Sequence, residues 1–199
     1  MKAVPTFERT AQSLERTGET VVTTVVSARR RLDIVMLRWQ ARLDAPVWDR
    51  SLPWLSAVVF AVVLSLLSLS RYRDLGVGYE LGHYVQAAYL MDIGDSPVIS
   101  DLGYNIFAGQ GAWVFWPLVW AMRVLPDVPT LLLVQSVALA LGVVPIWRMA
   151  RGPANLRIGG AAALTLAYAL HPSVHDLNLA GFHPEALAIP ALMAAYLAG

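Results

Sequence analysis

Long apolar runs, separated by short polar stretches, dominate the pattern of the chain. The hydrocarbon core of a bilayer is about 30 Å thick, and a helix needs about 20 residues to cross it. Runs near this length predict four transmembrane helices, at about residues 53–70, 129–150, 156–171 and 184–199. The first has Trp54 and Tyr72 at its ends, as interfacial anchors. The last is still apolar at Gly199, so we expect a fragment of a longer membrane protein.

The amino-acid composition agrees with this interpretation. Hydrophobic residues make up 57% of the chain and charged residues 15%, and the mean hydropathy is +0.54. Soluble domains contain about half apolar and about a quarter charged residues. The chain is therefore predicted to be an all-α, polytopic transmembrane helical bundle. It has no cysteine, which excludes disulfides, thiolate metal sites and cysteine nucleophiles. No glycine-rich phosphate loop is present, and neither a soluble enzyme nor a nucleic-acid-binding protein is expected.

The distribution of arginines predicts the orientation of the bundle. Basic residues lie before the first span and between the second and third spans, whereas residues 172–182 contain no Lys or Arg. Lys and Arg are enriched in cytoplasmic connections. We therefore expect a multi-pass protein of the cell membrane with its N-terminus in the cytoplasm and an outer loop over residues 71–128. Within that loop, Ala112–Leu125 is apolar and rich in Trp but too short to span. We interpret it as an interfacial or re-entrant helix.

The N-terminal region has a different periodicity. Apolar residues recur at spacings of three and four between Val21 and Leu43, with arginines around them, which predicts an amphipathic helix. Such a helix either lies on an anionic inner leaflet, where each basic residue contributes about 1 kcal/mol, or packs on its own bundle or a partner protein. Residues 1–18 are predicted to be a polar tail. Residues 1–52 then form a cytoplasmic part and residues 53–199 the transmembrane domain.

The outer loop contains one predicted helix with ionisable residues, YELGHYVQAAY at 79–89, between Gly78 and Gly94. Glu80 and His83 are three residues apart and would share a face, where a carboxylate and an imidazole can share a proton or a metal ion. An ordinary surface pair is the alternative, because Glu-x-x-His often occurs by chance. The loop aspartates are predicted to be solvated or capping residues. They are Asp74, Asp92, Asp95 and Asp101.

A second polar cluster, Phe182-His183-Pro184-Glu185, stands where the fourth span is predicted to begin. Pro184 suits the first turn of a helix, where its missing N–H costs nothing. Glu185 suits the positive end of the helix dipole. A helix start does not explain His183. Since this cluster and Glu80 are both predicted on the outer face, His183 and Glu185 are candidates for the same site.

Four segments occur in an order and spacing that resemble a known family. They are YELGHYVQAAY at 79–89, SPVIS at 96–100, LLLVQSVALALGVVPIWRMAR at 131–151 and LNLAGFHPEALAIP at 177–190. Together they resemble bacterial predicted membrane proteins known as domain of unknown function 2079. That family in turn resembles integral-membrane glycosyltransferases of the C superfamily, which take sugars from polyprenyl-phosphate donors. In those enzymes an acidic residue of the first outer loop acts as a base or helps to hold a metal ion.

The resemblance implies a transferase site on the outer face. Glu80 and His83 are then the catalytic candidates, with Glu80 as the base that activates the acceptor hydroxyl. Arg71 or Arg73 would bind the lipid phosphate, and membrane-interface anchoring is the alternative role of both. The other candidates for substrate binding are Gln86, His183 and Glu185. The cofactor is unknown, with a divalent metal ion left open, and the expected partners are the lipid bilayer, a polyprenyl-phosphate-linked sugar and a membrane protein.

The chain departs from the family pattern at acidic positions. Related sequences commonly read Tyr-Asp-Leu-Gly-x-Phe-Asp-Gln where this chain has Glu80 and Val85. A second family block, Gly-Asp-His-Phe-Ser-Pro, corresponds to residues from Gly109 onward without its acid or histidine. These departures leave open a non-catalytic scaffold or assembly partner. A transporter is a further alternative and is disfavoured, because the predicted spans hold almost no ionisable residues.

Overall fold

A computed structural model describes residues 34, 35, 38, 46–110 and 113–198. The chain divides into two units, residues 1–45 and 46–199. The polar tail predicted at 1–18 lies outside the described residues. So does the amphipathic helix predicted over Val21–Leu43, apart from three isolated positions.

Every regular element of the described part is helical, as the sequence predicts. In chain order the helices are α1 Pro46–Arg73, α2 Glu80–Asp92, α3 Ile106–Gln110, α4 Phe115–Met122, α5 Asp127–Leu141, α6 Val143–Arg151, α7 Ile158–Ala169, α8 Pro172–Ala180, a 3-10 helix Pro184–Leu187 and α9 Ala188–Ala198. An isolated bridge between Val98 and Asn105 closes a turn, and the described ranges contain no strand.

Within the described residues, two helical stretches are long and apolar enough to cross a membrane. They are Val47–Arg73, within α1, and Asp127–Arg151, which comprises α5 and α6. In the most apolar 18 residues of each stretch, the buried share is 28% for Val47–Arg73 and 72% for Asp127–Arg151. The α5–α6 stretch therefore forms the centre of the bundle, and α1 lies at its periphery.

These two stretches run antiparallel. Asp49, near the start of α1, accepts hydrogen bonds through Oδ1 from Trp147 Nε1 at 3.0 Å and from Arg151 Nε at 2.8 Å. Both donors lie in the last turns of α6. We call the end of the bundle that holds Asp49 and Arg151 the basal end. The opposite end, which holds Arg73 and Asp127, is called the loop end.

Helix α7 leads from the basal end to the middle of the bundle. Arg151 Nη1 donates to the carbonyl of Leu156, just before the helix begins, at 2.9 Å. Near its other end, Tyr168 donates through its hydroxyl to the carbonyl of Leu139 at 2.7 Å. Leu139 lies midway along the stretch Asp127–Arg151. Helix α7 thus stops half-way along its neighbours.

Helix α8 continues from the middle to the loop end. Asn178 Nδ2 donates to the carbonyl of Leu64 in α1 at 2.9 Å. At the last residue of α8, the carbonyl of Ala180 accepts a hydrogen bond from the backbone N–H of Gly78 at 2.9 Å. Gly78 lies in the connection between α1 and α2. Helices α7 and α8 therefore follow, one after the other, the path that α1 follows alone.

This arrangement differs from the sequence-based expectation of a single span over 156–171 followed by an outer connection over 172–182. At about 1.5 Å per residue, the 12 residues of α7 and the 9 of α8 measure about 18 Å and about 14 Å. Neither helix alone crosses about 30 Å of hydrocarbon. The break has a local cause, because a proline disfavours helical backbone at the residue before it. His171, which precedes Pro172, is extended with ψ 126°.

The other predicted spans and interfacial helices are shorter than α1. The apolar stretch Pro184–Ala198 starts with the 3-10 helix, and Pro184 and Glu185 lie in its first turn as predicted for a helix start. Helix α4 has 8 residues, about 12 Å, which is too short to cross a membrane by itself. Two candidate spans are thus present in the described part, and four spans stay a prediction.

A cluster of aromatic rings holds the loop end together. Tyr84 of α2 packs edge-on against Phe182 at 5.0 Å and against Phe115 of α4 at 5.5 Å between ring centroids. Phe115 and Phe182 are fully buried. Such aromatic pairs stabilise a core beyond the area that they bury. Because Phe182 directly precedes His183, this cluster also fixes the chain at the candidate site.

Candidate functional site

A polar cavity of about 120 Å³ opens at the loop end of the bundle. It lies between α2, the turn that precedes α3 and the residue before the 3-10 helix. Its polar side chains are Tyr79, Glu80, His83, Tyr84, Tyr104 and His183. Three residues predicted from the sequence, Glu80, His83 and His183, therefore meet in one cavity.

Helix α2 presents Glu80 and His83 to this cavity. The helix begins at Glu80, so the carboxylate lies in its first turn, where the helix dipole favours a negative charge. His83 follows three residues later, on the same face. The helix ends at Asp92, and Gly94 then takes a φ of +80°, a conformation that favours glycine. The boundaries agree with the helix predicted over 79–89.

Two pairs of imidazole and carboxylate groups lie in the cavity or at its mouth. His183 Nδ1 is 3.9 Å from Glu80 Oε2, which is beyond hydrogen-bond distance but within that of an ion pair. His83 Nε2 is 3.3 Å from Asp101 Oδ2. The imidazoles are 25% and 15% exposed, and the carboxylates 50% and 74%. The imidazoles thus lie inside while the carboxylates face outward, where a polar ligand would enter.

His183 is held in position by a buried glutamine. Gln135 of α5 is fully buried, and its Oε1 accepts a hydrogen bond from the backbone N–H of His183. Gln135 Nε2 donates to the carbonyls of Leu177 at 2.9 Å and Gly181 at 2.8 Å. Gly181 has a φ of +144°, which strongly favours glycine. The side chain of His183 forms no capping hydrogen bond, so the imidazole is directed to the cavity and not to the helix start.

Tyr84 forms one wall of the cavity and is 4% exposed. Burial, followed by the negative charges of Glu185 and Glu80, raises the pKa of its hydroxyl above the ordinary value. Desolvation and nearby carboxylates both disfavour the phenolate. Tyr84 therefore stays protonated at physiological pH. Glu185 acts on this hydroxyl through its charge, although it is exposed and does not line the cavity.

The remaining predicted site residues do not line the cavity. Gln86 Nε2 donates to Ser100 Oγ at 2.6 Å, which connects α2 to the turn that follows it. Arg71 and Arg73 are exposed in the last turn of α1. Arg71 folds back over Gly76, where an added Cβ would lie 3.1 Å from its Nε. The structure thus brings together Glu80, His83 and His183 but keeps Gln86 and the two arginines apart from them.

An apolar groove of about 340 Å³ adjoins the polar cavity. It is formed by the end of α1, the following connection, α2 and the start of α5, and its lining includes Tyr72, Val77, Leu81, Val85 and Val128. Tyr79 lines both the groove and the cavity. The loop end thus offers a polar compartment beside an apolar one, an arrangement that suits an amphiphilic ligand.

The donor groups do not form a three-ligand metal site. Among the described residues, no group of three or more His, Asp or Glu side chains lies close enough to hold a metal ion. A divalent ion at Glu80 would need ligands from a substrate or from another part of the protein.

Several residues of the cavity were missed from the sequence. Tyr79, Tyr84 and Tyr104 line it, and Asp101, predicted to be solvated, pairs with His83. Tyr79 could have been predicted from its position directly before Glu80. Gln135 had a signal too, since a lone amide in an apolar run needs buried hydrogen-bond partners. Nothing in the local pattern distinguished Asp101 from the other loop aspartates.

The comparisons with known proteins concern the same region of the chain. The family model described as predicted membrane protein (DUF2079) matches residues 71–199. The chain belongs to this family. The match covers the polar cavity, the apolar groove and all of the predicted site residues, from Arg71 to Glu185. No curated protein and no solved structure matches this DUF2079 protein.

Proposed function

We propose that this DUF2079 protein is a multi-pass membrane transferase that moves a sugar from a polyprenyl-phosphate donor to a hydroxyl acceptor. The observation that carries the proposal is the polar cavity of Glu80, His83 and His183 beside an apolar groove, with Tyr79 common to both. A lipid-linked sugar has the same division, with a polar head and an apolar tail. The resemblance of the family to C-superfamily glycosyltransferases supports the same substrate class.

In the proposed reaction, Glu80 acts as the general base. Its carboxylate takes the proton of the acceptor hydroxyl as the oxygen attacks the anomeric carbon of the sugar. The bond from that carbon to the phosphate oxygen breaks, and polyprenyl phosphate leaves with the bonding electron pair. Proton, sugar and leaving group are then all accounted for, with no further reactant.

The neighbouring side chains supply orientation and charge. His183 lies 3.9 Å from Glu80, a distance at which a protonated imidazole stabilises the negative charge of a carboxylate. His83 is paired with Asp101 and offers a hydrogen-bonding group to the sugar. Tyr84, which stays protonated, can donate a hydrogen bond. Gln86 and Glu185 are proposed to contact the outer part of the acceptor.

Arg71 and Arg73 are proposed to bind the lipid phosphate. They flank Tyr72, which lines the apolar groove, in the last turn of α1. Arginine pairs with phosphate oxygens through two parallel hydrogen bonds. A lipid tail in the groove would bring its phosphate to the level of these side chains. Positive charge there would stabilise the leaving group as it departs.

The proposed orientation puts the basal end in the cytoplasm and the loop end outside. The basal end carries the arginines that connect α6 to α7, as cytoplasmic connections commonly do. Arg148, Arg151 and Arg157 are the residues concerned. The reaction would therefore take place on the outer face of the membrane.

A non-catalytic scaffold is the second candidate, and Val85 favours it. The pattern of the family that the chain resembles has an aspartate at this position, whereas the side chain of Val85 lines the apolar groove. A groove made more apolar by this residue suits a hydrophobic partner helix as well as a lipid. The two candidates differ in whether Glu80 is needed for chemistry.

The deciding experiment replaces Glu80 by Gln in the full chain. The assay follows transfer of labelled sugar from polyprenyl-phosphate donors in membranes. E80Q should lower turnover by at least about 100-fold, since general-base catalysis contributes about that factor or more. D74N, which changes an exposed carboxylate outside the cavity, is the matched control and should keep wild-type turnover. Equal turnover of E80Q and D74N would remove Glu80 from the mechanism, and no transfer by the wild-type chain with any donor would favour the scaffold.

A further inference from the structure

The break between α7 and α8 lies level with the middle of the longest candidate span. The ring of His175, in the first turns of α8, packs edge-on against Phe60 with 6.2 Å between centroids. Tyr168, at the end of α7, packs against the same ring at 6.3 Å. Phe60 lies midway between Val47 and Arg73, the ends of that span. When α1 crosses a bilayer, the break therefore lies near its mid-plane.

Besides Tyr168, the ionisable side chains at the break are His171, His175 and Asp176. His171 Nδ1 accepts a hydrogen bond from the backbone N–H of Ser173 at 3.2 Å and so caps the start of α8. His175 Nε2 is 2.8 Å from the carbonyl of Ala169, one of those that the end of α7 leaves without a helical partner. Both histidines thus hold the two helix ends that Pro172 separates.

Asp176 has no such structural role. It is exposed and forms no hydrogen bond or ion pair within the described part of the chain. The elements packed against α8 bring no charge to its level, because α1 is charged only at its ends and α5 only at Asp127. The titratable groups near this level are His171 and His175 of α8 and Tyr168 at the end of α7.

An ionised carboxylate at the centre of a bilayer is unfavourable in contact with lipid and is usually found where it meets water or a counter-charge. Pro172, Asp176 and Ala180 are all exposed and, at spacings of four, follow one face of α8. Ala180 is at the loop end, where its carbonyl binds Gly78. This face therefore leads from the loop end to the break.

We propose that the α7–α8 break is a water-accessible proton-binding site, in which Asp176 takes up a proton that enters along the exposed face of α8. The carboxylate gains one proton from water to become a neutral carboxylic acid and returns it in the reverse step. His171 and His175 keep the two helix ends in register around it. The site is distinct from the Glu80 cavity, and its chemistry does not depend on sugar transfer.

Water access can be tested directly because the chain has no cysteine. Single-cysteine variants of the full chain in native membranes are treated with a charged, membrane-impermeant maleimide. D176C and A180C should be labelled at least about tenfold faster than V62C, since an apolar environment raises the pKa of a thiol and lowers its thiolate fraction. Val62 is an exposed residue of α1 between Phe60 and Leu64 and serves as the matched lipid-facing control.

S173C repeats the test if D176C fails to insert, because the hydrogen bond of Ser173 to His171 uses only its backbone N–H. If A180C is labelled but D176C or S173C reacts no faster than V62C, lipid or a protein covers this face of α8. That result would overturn the proposal.

Proton binding is tested by infrared spectroscopy of the purified full chain across a pH series. The wild-type protein should show a titrating carboxyl stretching band that D176N lacks and D74N keeps. An identical pH series for wild type and D176N would overturn proton binding even if the face is labelled. Neither measurement uses transferase activity, so failure here and failure of the E80Q test are distinguishable.

Discussion

Replacement of Gln135 by Leu tests how the candidate site is held in position. The change removes the three hydrogen bonds of this buried amide, to Leu177, Gly181 and His183, and leaves the N–H of His183 without its acceptor. Side-chain hydrogen bonds in membrane proteins contribute about 0.6 kcal/mol each, or about 2 kcal/mol for three. A buried N–H left unpaired costs about 1 to 3 kcal/mol more. We expect the free energy of unfolding to fall by about 3 to 5 kcal/mol, the sum of these two contributions. Leu has a volume similar to that of Gln and adds little strain.

The assay is thermal unfolding of the detergent-solubilised protein, followed by size-exclusion chromatography with fluorescence detection. At about 2 to 4 °C per kcal/mol for a chain of this size, Q135L should lower Tm by about 6 to 20 °C. Q86L is the matched control, since it makes the same change but removes one hydrogen bond, to Ser100, near the surface. Its loss should stay below about 1.5 kcal/mol.

Hydrogen–deuterium exchange then distinguishes a local effect from a global one. In Q135L the peptide that covers residues 177–187 should exchange faster than in the wild type, while peptides from the middle of α1 change less. A fall in Tm for Q135L no larger than that of Q86L, or unchanged exchange at 177–187, would refute the role given to Gln135.

Two further predictions concern the walls of the cavity and groove. The raised pKa of Tyr84 means that the folded protein binds the phenol proton more tightly than the unfolded chain does, so this proton stabilises the fold below about pH 10 and the contribution is lost above it. Above about pH 10, Y84F should therefore lose less thermal stability than the wild type. Parallel alkaline stability profiles of the two proteins would contradict this. At Gly78 an added Cβ would lie 2.6 Å from the carbonyl of Ala180, so G78A should destabilise the protein by about 1 to 3 kcal/mol in thermal unfolding. G82A is the control for G78A, because a Cβ at Gly82 in α2 meets open space and Ala favours a helix over Gly by up to about 1 kcal/mol. Equal melting temperatures of G78A and G82A would exclude the close approach of Gly78 to Ala180.

Apolar length predicts where α1 lies but not where it ends. The run at 53–70 indicated a span, and the helix extends from Pro46 to Arg73. The additional turns contain charged residues, such as Asp49, whose partners Trp147 and Arg151 lie about a hundred residues further along the chain. A count of apolar residues cannot register such a pairing. It therefore detects the part of a helix that lies in hydrocarbon and underestimates the whole.

The polar composition of α8 concealed its packing. Its polar residues suggested a connection, yet Asn178 is almost completely buried. The amide of Asn178 donates to the carbonyl of Leu64, and its Oδ1 accepts from Ser136. A buried amide is tolerated when its groups are paired, and those partners come from α1 and α5. The sequence carried the signal for the break, Pro172, but not for the helix that follows it.

The candidate site was predictable to the extent that it is local. Glu80 and His83 share a face because three residues separate them, a relation fixed by helix geometry. Asp101 meets His83 across 18 residues, and Gln135 meets His183 across 48. Pairings at such distances depend on how the helices pack. The sequence therefore gave His83 and His183, one member of each pair, and only the fold gave Asp101 and Gln135.

Gln135 also determines how the cavity and the α7–α8 break are connected. Its side chain binds the chain at Leu177, Gly181 and His183, so the end of α8 and the imidazole are fixed to α5 as one segment. Asp176 directly precedes this segment. Coupling between two sites requires an element with two arrangements that both sites bias, and these hydrogen bonds hold the segment between Asp176 and His183 in one arrangement. Q135L should therefore disturb His183 while Asp176 stays accessible to water, which separates the two sites experimentally.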